Sequence, residues 1–148
     1  MVEVLYSPME GTVVDLDSVN DEVFSRRLLG DGIAIIPKSR KIYSPVDGEI
    51  TMVYKTKHAI GIRTHFGCDI LIHMGIDTVL LNGIPFATKV KIGDQVTKGD
   101  LLTVVNWNYI KIKGYDTVVP IIIINRKVKP IKLSGKVKPC EPLLEIED

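Results

Sequence analysis

The residues best suited to chemistry in this 148-residue chain are its three histidines, His58, His65 and His73, which lie within 16 positions. Histidine titrates near neutrality and can act as a nucleophile, a base or a metal ligand. Two runs rich in β-branched residues flank Phe66 and Gly67, which predicts a β-hairpin with His58 and His73 at its open end. We therefore expect a functional site at that end of the hairpin.

The register of this hairpin decides whether the two histidines meet. A two-residue turn at residues 66–67 places His73 opposite Ile60 and makes His58 its diagonal neighbour on the same face, with about 7–8 Å between Cα atoms. His65 then points to the other face of its strand. A three-residue loop or a bulge would break this arrangement, because a one-residue slip moves every side chain to the opposite face.

Two adjacent imidazoles suit phosphoryl transfer. One ring nitrogen can attack phosphorus, and the second histidine can donate a hydrogen bond to the phosphoryl oxygens. Thr56 shares the face of His58 and is placed to orient that ring. Asp77 follows the strand of His73 and is placed to influence imidazole protonation or the approach of a partner. The sequence has no GxxxxGK[ST] loop, so a protein rather than ATP would supply the phosphoryl group.

Metal binding and a purely structural histidine pair remain alternatives. Zinc needs at least one ligand beyond two histidines, for which Asp69 and Asp77 are the candidates, and the sequence contains neither HExxH nor HxH. Gly61 and Gly75 lie beside the pair and would let a substrate or partner approach the backbone, which favours a functional role. A biotin-type swinging-arm carrier needs a lysine at the tip of a central hairpin, usually within a Met-Lys-Met sequence, and the chain contains no such triplet.

The elements that must position the histidines are mostly short strands. Twelve glycines and eight prolines are spread along the chain, and the runs between them are rich in Val, Ile, Thr and Tyr. This pattern predicts an all-β, antiparallel β-sandwich or barrel with little helix. The best helix candidate is residues 18–29, residues 76–81 could form one turn, and residues 106–114 fit no pattern. The predicted strands are residues 12–16, 32–36, 49–54, 59–64, 69–73, 101–105 and 118–124.

The chain repeats itself in two places. The sequence SPMEG at residues 7–11 recurs as SPVDG at residues 44–48, and each copy leads into a predicted strand. A second pair, residues 93–102 and 135–144, shares an acidic residue followed by Leu-Leu. Similar turns would explain part of this likeness, but the shared acids favour a duplicated β unit whose two halves pack together.

Composition limits the class of protein. The chain has 19 basic and 18 acidic residues, a net charge of +1, which argues against a nucleic-acid binder. Cys68 and Cys140 are the two cysteines, and two thiols without a signal-peptide pattern suggest a reducing, cytosolic setting; they form no CxxC or zinc-ribbon motif. The longest apolar run, residues 118–124, is far shorter than the about 20 residues of a membrane span. We expect one domain over residues 1–148.

Taken together, these motifs resemble the glucose-type enzyme IIA domain of the bacterial phosphoenolpyruvate-dependent sugar phosphotransferase system. The likeness covers almost the whole chain in order, and it is most specific around His73. Residues 105–115 match no family pattern. The matching stretches are SPMEG (7–11), GDGIAI (30–35), SPVDG (44–48), TKHAIGI (56–62), ILIHMGIDTV (70–79), LNG (81–83), GDQVTKGDLL (93–102) and LSGKV (133–137).

The resemblance implies an antiparallel β-sandwich with duplicated halves and a relay of phosphoryl groups. Members of the family accept a phosphoryl group from the phosphohistidine of the small carrier HPr and pass it to a cysteine of the IIB domain of a sugar permease. On this resemblance, His73 carries the phosphoryl group and His58 holds its oxygens. Thr56 matches a threonine that hydrogen-bonds within the site, and Gly75 matches the glycine beside the phosphoryl group.

The resemblance also implies a docking rim for the two partners. Asp77 and Asp21 match acids of that rim, and Phe24 and Tyr54 match its apolar positions. Ile60, together with Met74, is a further candidate to line the depression. His65 falls outside the family pattern and is expected to be an incidental surface residue.

The remaining expectations follow from the same family. We expect a cytoplasmic monomer that needs no cofactor, binds no nucleic acid and meets the membrane only through the permease. His58 and His73 could hold an adventitious zinc ion, but no metal is required. The permease sets the sugar, so the resemblance leaves the sugar and any regulatory partners open.

Overall fold

Fourteen short β-strands build residues 3–147, the part of the chain that this computed structural model describes. All of their pairings are antiparallel. The strands are β1 (Glu3–Tyr6), β2 (Gly11–Val14), β3 (Gly30–Pro37), β4 (Lys41–Tyr43), β5 (Gly48–Val53), β6 (Ala59–Thr64), β7 (Asp69–His73), β8 (Phe86–Thr88), β9 (Gln95–Val96), β10 (Leu101–Val105), β11 (Val119–Ile124), β12 (Val128–Pro130), β13 (Gly135–Val137) and β14 (Pro142–Ile146).

The strands form one large sheet and two small ones. The eight-stranded sheet has the order β13-β2-β3-β11-β7-β6-β5-β9. The three-stranded sheets have the orders β1-β14-β12 and β4-β10-β8. The apolar inner faces of the sheets share one core, and every predicted strand overlaps an observed one. The predicted all-β, antiparallel architecture is therefore confirmed.

The predicted duplication is visible in the strand order. Reading the large sheet from either end pairs β13 with β9, β2 with β5, β3 with β6 and β11 with β7. The small sheets correspond in the same way. The two copies of the SPxxG sequence also bind each other reciprocally, since the N–H of Tyr6 donates to the carbonyl of Pro45 at 3.0 Å and the N–H of Tyr43 donates to that of Pro8 at 2.7 Å. The two halves are thus related by a pseudo-twofold axis.

The second pair of repeated segments, residues 93–102 and 135–144, hydrogen-bonds to the two SPxxG sequences at equivalent positions. The N–H of Ser7 donates to the carbonyl of Glu141 at 2.7 Å, and the N–H of Ser44 donates to that of Asp100 at 2.8 Å. Both serines are fully buried, and each hydroxyl donates to the backbone carbonyl two residues later, at 2.8 and 2.7 Å. The two halves therefore contain the same set of hydrogen bonds at equivalent positions.

Helix is limited, as predicted, but its segments differ in length and place from those predicted. Helix α1 (Glu22–Ser25) covers only part of the helix expected at residues 18–29, because Arg27 takes a left-handed conformation with φ 56° and ends it. A separate 3₁₀ turn precedes α1 at Leu16–Ser18. The single turn expected within residues 76–81 is confirmed as the 3₁₀ turn Thr78–Leu81. Helix α2 (Trp107–Ile112) lies in the stretch that fitted no pattern.

The β6–β7 hairpin does not have the predicted register. Ala59, not Ile60, lies opposite His73, because three residues rather than two form the loop. Gly67 takes φ 83° at the third loop position, and its N–H donates to the carbonyl of Thr64 at 2.9 Å. A third residue in the left-handed conformation is typical of three-residue hairpin loops. Since one extra residue shifts the register by one, the predicted diagonal pairing was wrong.

The shift in register changes which side chains face the core. Ile60 and Met74 are both fully buried in the main core, which corrects their predicted place on the rim. A smaller apolar cluster lies apart from this core and includes Leu16, Phe24 and Ile122. It joins residues 15–29 to the large sheet. None of the helices formed by residues 3–147 is long and apolar enough to cross a membrane.

The duplicated serines give a test of the pseudo-symmetry. We expect Ser7→Ala and Ser44→Ala each to lower the free energy of unfolding by about 1–3 kcal/mol, because each leaves a buried carbonyl without its donor. Ser134→Ala, at an exposed loop position, is the control and should cost little. Urea unfolding of the three variants measures this. A large loss in only one of the two buried serines would contradict their equivalence.

Candidate functional site

His58 and His73 meet despite the shifted register. His73 is the last residue of β7, whereas His58 precedes β6 and therefore does not follow the alternation of that strand. Lys57, just before it, takes a left-handed conformation with φ 61°, which turns the chain ahead of the strand. The centroids of the two imidazole rings are 5.0 Å apart and their planes are inclined at 75°. The predicted pairing of the two rings is correct, although its predicted geometric cause was not.

A backbone carbonyl sets the tautomer of His73. Nδ1 of His73 lies 2.6 Å from the carbonyl oxygen of Gly75, which can only accept, so Nδ1 carries the proton. The lone pair is then on Nε2, the other ring nitrogen. Gly75 has φ 81°, and a Cβ at this position would lie 2.6 Å from Cγ2 of Thr78. Residue 75 must therefore be glycine for both conformational and steric reasons.

A side-chain hydroxyl contacts the second ring. Oγ1 of Thr56 lies 2.7 Å from Nδ1 of His58, and His58 is only 5% exposed. A hydroxyl can donate or accept, so this contact is compatible with either tautomer. When Thr56 donates, the proton of the neutral imidazole lies on Nε2. The two histidines would then have complementary tautomers, with one Nε2 as a base and the other as a donor.

Burial keeps both rings neutral. Desolvation is the main cause that lowers the pKa of His58, to about 4, and the nearby His73 lowers it further. Desolvation also lowers the pKa of His73, although the hydrogen bond to Gly75 and the charges of Asp21 and Asp77 partly oppose that effect. A neutral imidazole keeps a lone pair, so His73 is held in its nucleophilic form.

The two rings lie in a shallow depression of about 260 Å³. Aromatic side chains contact them from either side: the ring of Phe24 lies 4.9 Å from that of His73, and the ring of Tyr54 lies 5.1 Å from that of His58. Asp21 and Asp77 add two carboxylates to the lining. The structure thus places these four predicted residues around the pair, with Thr56 and Gly75 in direct contact with the rings.

Several apolar residues of the depression were not predicted. They are Val23, Leu29, Leu71 and Val79. Leu71 lies two positions before His73 on the same strand, so the alternation of β7 could have identified it. Val23 lies in α1, Val79 in the 3₁₀ turn and Leu29 in the bend before β3, and these segments are too short for a periodic pattern to mark their exposed side. His65 lies at the opposite end of the hairpin, exposed in its loop, and does not take part.

The site offers few ligands for a metal ion. Among residues 3–147, no three His, Cys, Asp or Glu side chains converge in an arrangement that could hold a metal. Asp69, one of the two predicted third ligands, instead accepts hydrogen bonds from the guanidinium of Arg63 at 2.8 and 3.1 Å. A zinc ion at the histidine pair would need ligands from a partner or from solvent.

The sequence is similar to one protein family over most of its length. Residues 3–128 match the family described as phosphoenolpyruvate-dependent sugar phosphotransferase system, EIIA 1. The glucose-specific EIIA component of this system in Halalkalibacterium halodurans is 42% identical over 123 residues, which are 83% of this chain and 71% of that protein.

Larger relatives and a solved structure agree with this match. The β-glucoside-specific EIIBCA component of Bacillus subtilis is 44% identical over 147 residues, and this chain spans about a quarter (24%) of its length. Among solved structures, the glucose permease IIA from Mycoplasma capricolum superposes with a TM-score of 0.93 at 38% identity, covering 98% of this chain and 96% of that one. The likeness therefore extends to the whole fold described above.

The depressed histidine pKa values predict a pH dependence of stability. Unfolded histidines titrate near a pKa of about 6.5. Between that pH and about 4, where His58 gains its proton in the fold, the unfolded state binds more protons. Stability should therefore fall as the pH drops through this window and be fully retained above it.

Unfolding in urea between pH 7 and pH 5 measures this slope. His58→Gln removes one titrating ring and should make the slope less steep, with a remainder from His73. An identical slope in the variant and the wild type would show that His58 is not held neutral by the fold.

Proposed function

Because the chain belongs to the EIIA 1 family of the phosphoenolpyruvate-dependent sugar phosphotransferase system, and is thus a phosphoryl carrier of sugar uptake, we propose that His73 is the residue that carries the phosphoryl group. The observation that supports this choice most strongly is the contact between Nδ1 of His73 and the carbonyl of Gly75. It leaves Nε2 as the nucleophilic atom, in a depression that other proteins can reach.

In the proposed reaction, Nε2 of His73 attacks the phosphorus of a phosphohistidine on HPr. The new N–P bond forms as the N–P bond of the donor breaks, and the donor nitrogen leaves with the electron pair. The phosphorylated ring of His73 gains positive character, which strengthens the donation from Nδ1 to the carbonyl of Gly75. The same carbonyl therefore orients the nucleophile before the reaction and stabilises the product after it.

His58 is the proposed stabiliser of the phosphoryl oxygens. With its Nδ1 accepting from Thr56, Nε2 of His58 carries a proton and can donate to an oxygen of the group on His73. A ring separation of 5.0 Å is compatible with this role. A depressed pKa means that His58 acts as a neutral donor, so it need not lose a proton to solvent when the group departs.

The depression suits two partners in turn. Its lining is apolar except for the histidines, Asp21 and Asp77, and a wide, shallow shape admits another protein. The two carboxylates oppose free phosphate and complement a basic rim on a partner. HPr would dock first, and the IIB domain of a permease would then take the phosphoryl group on its cysteine. Relatives such as the EIIBCA component of Bacillus subtilis carry B, C and A in one name, which supports a IIB partner for this chain.

The same proposal covers the organisation of the protein. Residues 1–148 form one EIIA domain, which acts as a cytoplasmic monomer without a cofactor and reaches the membrane only through its permease. The relatives include glucose-specific and β-glucoside-specific components, so similarity alone does not select the sugar.

Intact mass after incubation with phosphoenolpyruvate, enzyme I and HPr tests the assignment. We expect one acid-labile phosphoryl group on the wild type and none on His73→Ala. His58→Ala should still be phosphorylated, but about 100-fold more slowly, because it loses one donor to the developing charge. A folded wild type that gains no phosphoryl group while HPr is phosphorylated would overturn the proposal. Phosphorylation of His73→Ala would move the carrier role to another residue.

The acidic rim gives a second prediction. Replacing both Asp21 and Asp77 with Asn should slow transfer from HPr roughly three- to tenfold and weaken its dependence on salt, because a basic partner loses its steering charge. Asp21 caps α1 through the N–H of Val23, which an Asn can also do. The control is the double variant Glu141→Gln and Glu147→Gln, which makes the same charge change away from the depression. Equal rates for the two double variants would show that the rim acids do not guide HPr.

A further inference from the structure

The turn after His73 holds the Met74–Gly75 peptide group at both ends. Its N–H donates to the carbonyl of Val118 at 3.1 Å, and its carbonyl accepts from Oγ1 of Thr78 at 2.6 Å. Thr78 is fully buried, so no water competes for this hydrogen bond. Without such anchors this peptide group could rotate, since glycine has access to most of φ/ψ space.

The next peptide group is held in the same way. The N–H of Ile76 donates to the carbonyl of Asp116 at 3.1 Å, and the carbonyl of Gly75 accepts from Nδ1 of His73 at 2.6 Å. The orientation of the catalytic ring therefore depends on two linked peptide groups. Of their four partners in the described residues, only His73 and Thr78 contribute side chains.

Thr78 contacts Gly75 with its methyl group as well. Cγ2 of Thr78 lies 2.6 Å from the position that a Cβ of residue 75 would take, so the methyl group packs against the side of the glycine that bears no side chain. The hydroxyl therefore hydrogen-bonds to the peptide group before Gly75, and the methyl group fills the space beside the glycine Cα. Both contacts restrict the direction of the carbonyl that His73 binds.

We propose that Thr78 is a positioning residue for the phosphoryl-accepting histidine, which keeps His73 in the Nδ1–H tautomer by fixing the Gly75 carbonyl. This inference rests on the proposed role of His73 and deepens it. Loss of the hydroxyl frees the Met74–Gly75 peptide group, the Gly75 carbonyl then moves away from Nδ1, and the proton redistributes between the two ring nitrogens. A smaller share of molecules presents the Nε2 lone pair.

Two substitutions separate the hydroxyl from the methyl group. Thr78→Val removes the hydroxyl and keeps a methyl group at Cγ2, whereas Thr78→Ser keeps the hydroxyl alone. Thr103→Val is a matched control, because Thr103 is also fully buried and its hydroxyl has no hydrogen-bond partner in residues 3–147. Should Thr78→Val fail to fold, Thr78→Ala also removes the hydroxyl with less risk of a clash.

The ¹⁵N chemical shifts of the His73 ring in the full chain report the tautomer directly. We expect Nδ1–H in the wild type, in Thr78→Ser and in Thr103→Val, and a mixture of tautomers in the hydroxyl-free variants at position 78. The rate constant for phosphoryl transfer from HPr should fall about tenfold in those variants, as when a partner that orients a reactive histidine is lost. KM for phosphorylated HPr should change less than twofold, because the docking surface is unaltered.

The two readouts distinguish the possible failures. Unchanged ring shifts in a folded, hydroxyl-free variant would overturn the positioning role, whatever the transfer rates. The same holds if Thr103→Val alters the shifts as much as Thr78→Val does. A wild type that shows the Nδ1–H tautomer but takes up no phosphoryl group would instead overturn the proposed function and leave the structural effect of Thr78 in place.

Discussion

A backbone carbonyl at the end of a central strand determines which nitrogen of His73 can react. The oxygen of Gly75 can only accept, so the 2.6 Å contact keeps the proton on Nδ1 and leaves Nε2 free. This contact needs a glycine with φ 81° and a turn held against the segment before β11 through Asp116 and Val118. The pairing of β11 with β7 in the large sheet brings that segment beside the end of β7, so the sheet also helps to set the tautomer of His73.

The histidine pair belongs to one half of the duplicated fold. The pseudo-twofold axis passes between the two central strands, β7 and β11, where Ile72 and Ile121 are paired and are each other's counterparts. The residue after each of them is then also equivalent, so Ile122 is the counterpart of His73. Ile122 is fully buried in the small apolar cluster that holds residues 15–29 against the sheet. The equivalent connection in the other half has only residues 54–58, which leave the sheet uncovered and supply His58. One connection thus covers the pseudo-equivalent position, and its Phe24 also closes one side of the depression.

Charge is distributed unevenly under a net charge of only +1. Six of the 19 basic residues and none of the 18 acidic ones lie in residues 117–140, so the rest of the chain is net acidic. Part of this basic segment forms β12 and β13, which are edge strands, where lysines discourage pairing with other chains. The carboxylates of Asp21 and Asp77 remain beside the histidines, where they oppose the loss of basicity that burial imposes on His73. Desolvation still dominates, and the ring stays neutral.

Local patterns in the sequence predicted seven of the fourteen strands found in residues 3–147, the duplication and the residues of the histidine pair, because alternation, turn residues and repeated motifs are local properties. It did not determine the hairpin register, since one left-handed residue at Gly67 adds a residue to the loop and reverses the facing of a whole strand. For that reason Ile60 proved to be a core residue rather than one that lines the depression. The folded structure was needed to show that Thr78 packs on Gly75 and that His58 reaches His73 from outside the strand. The approach of His58 depends on where residues 54–58 lie beside the end of β7, and the contact of Thr78 depends on the φ of 81° at Gly75; no local sequence pattern records either feature.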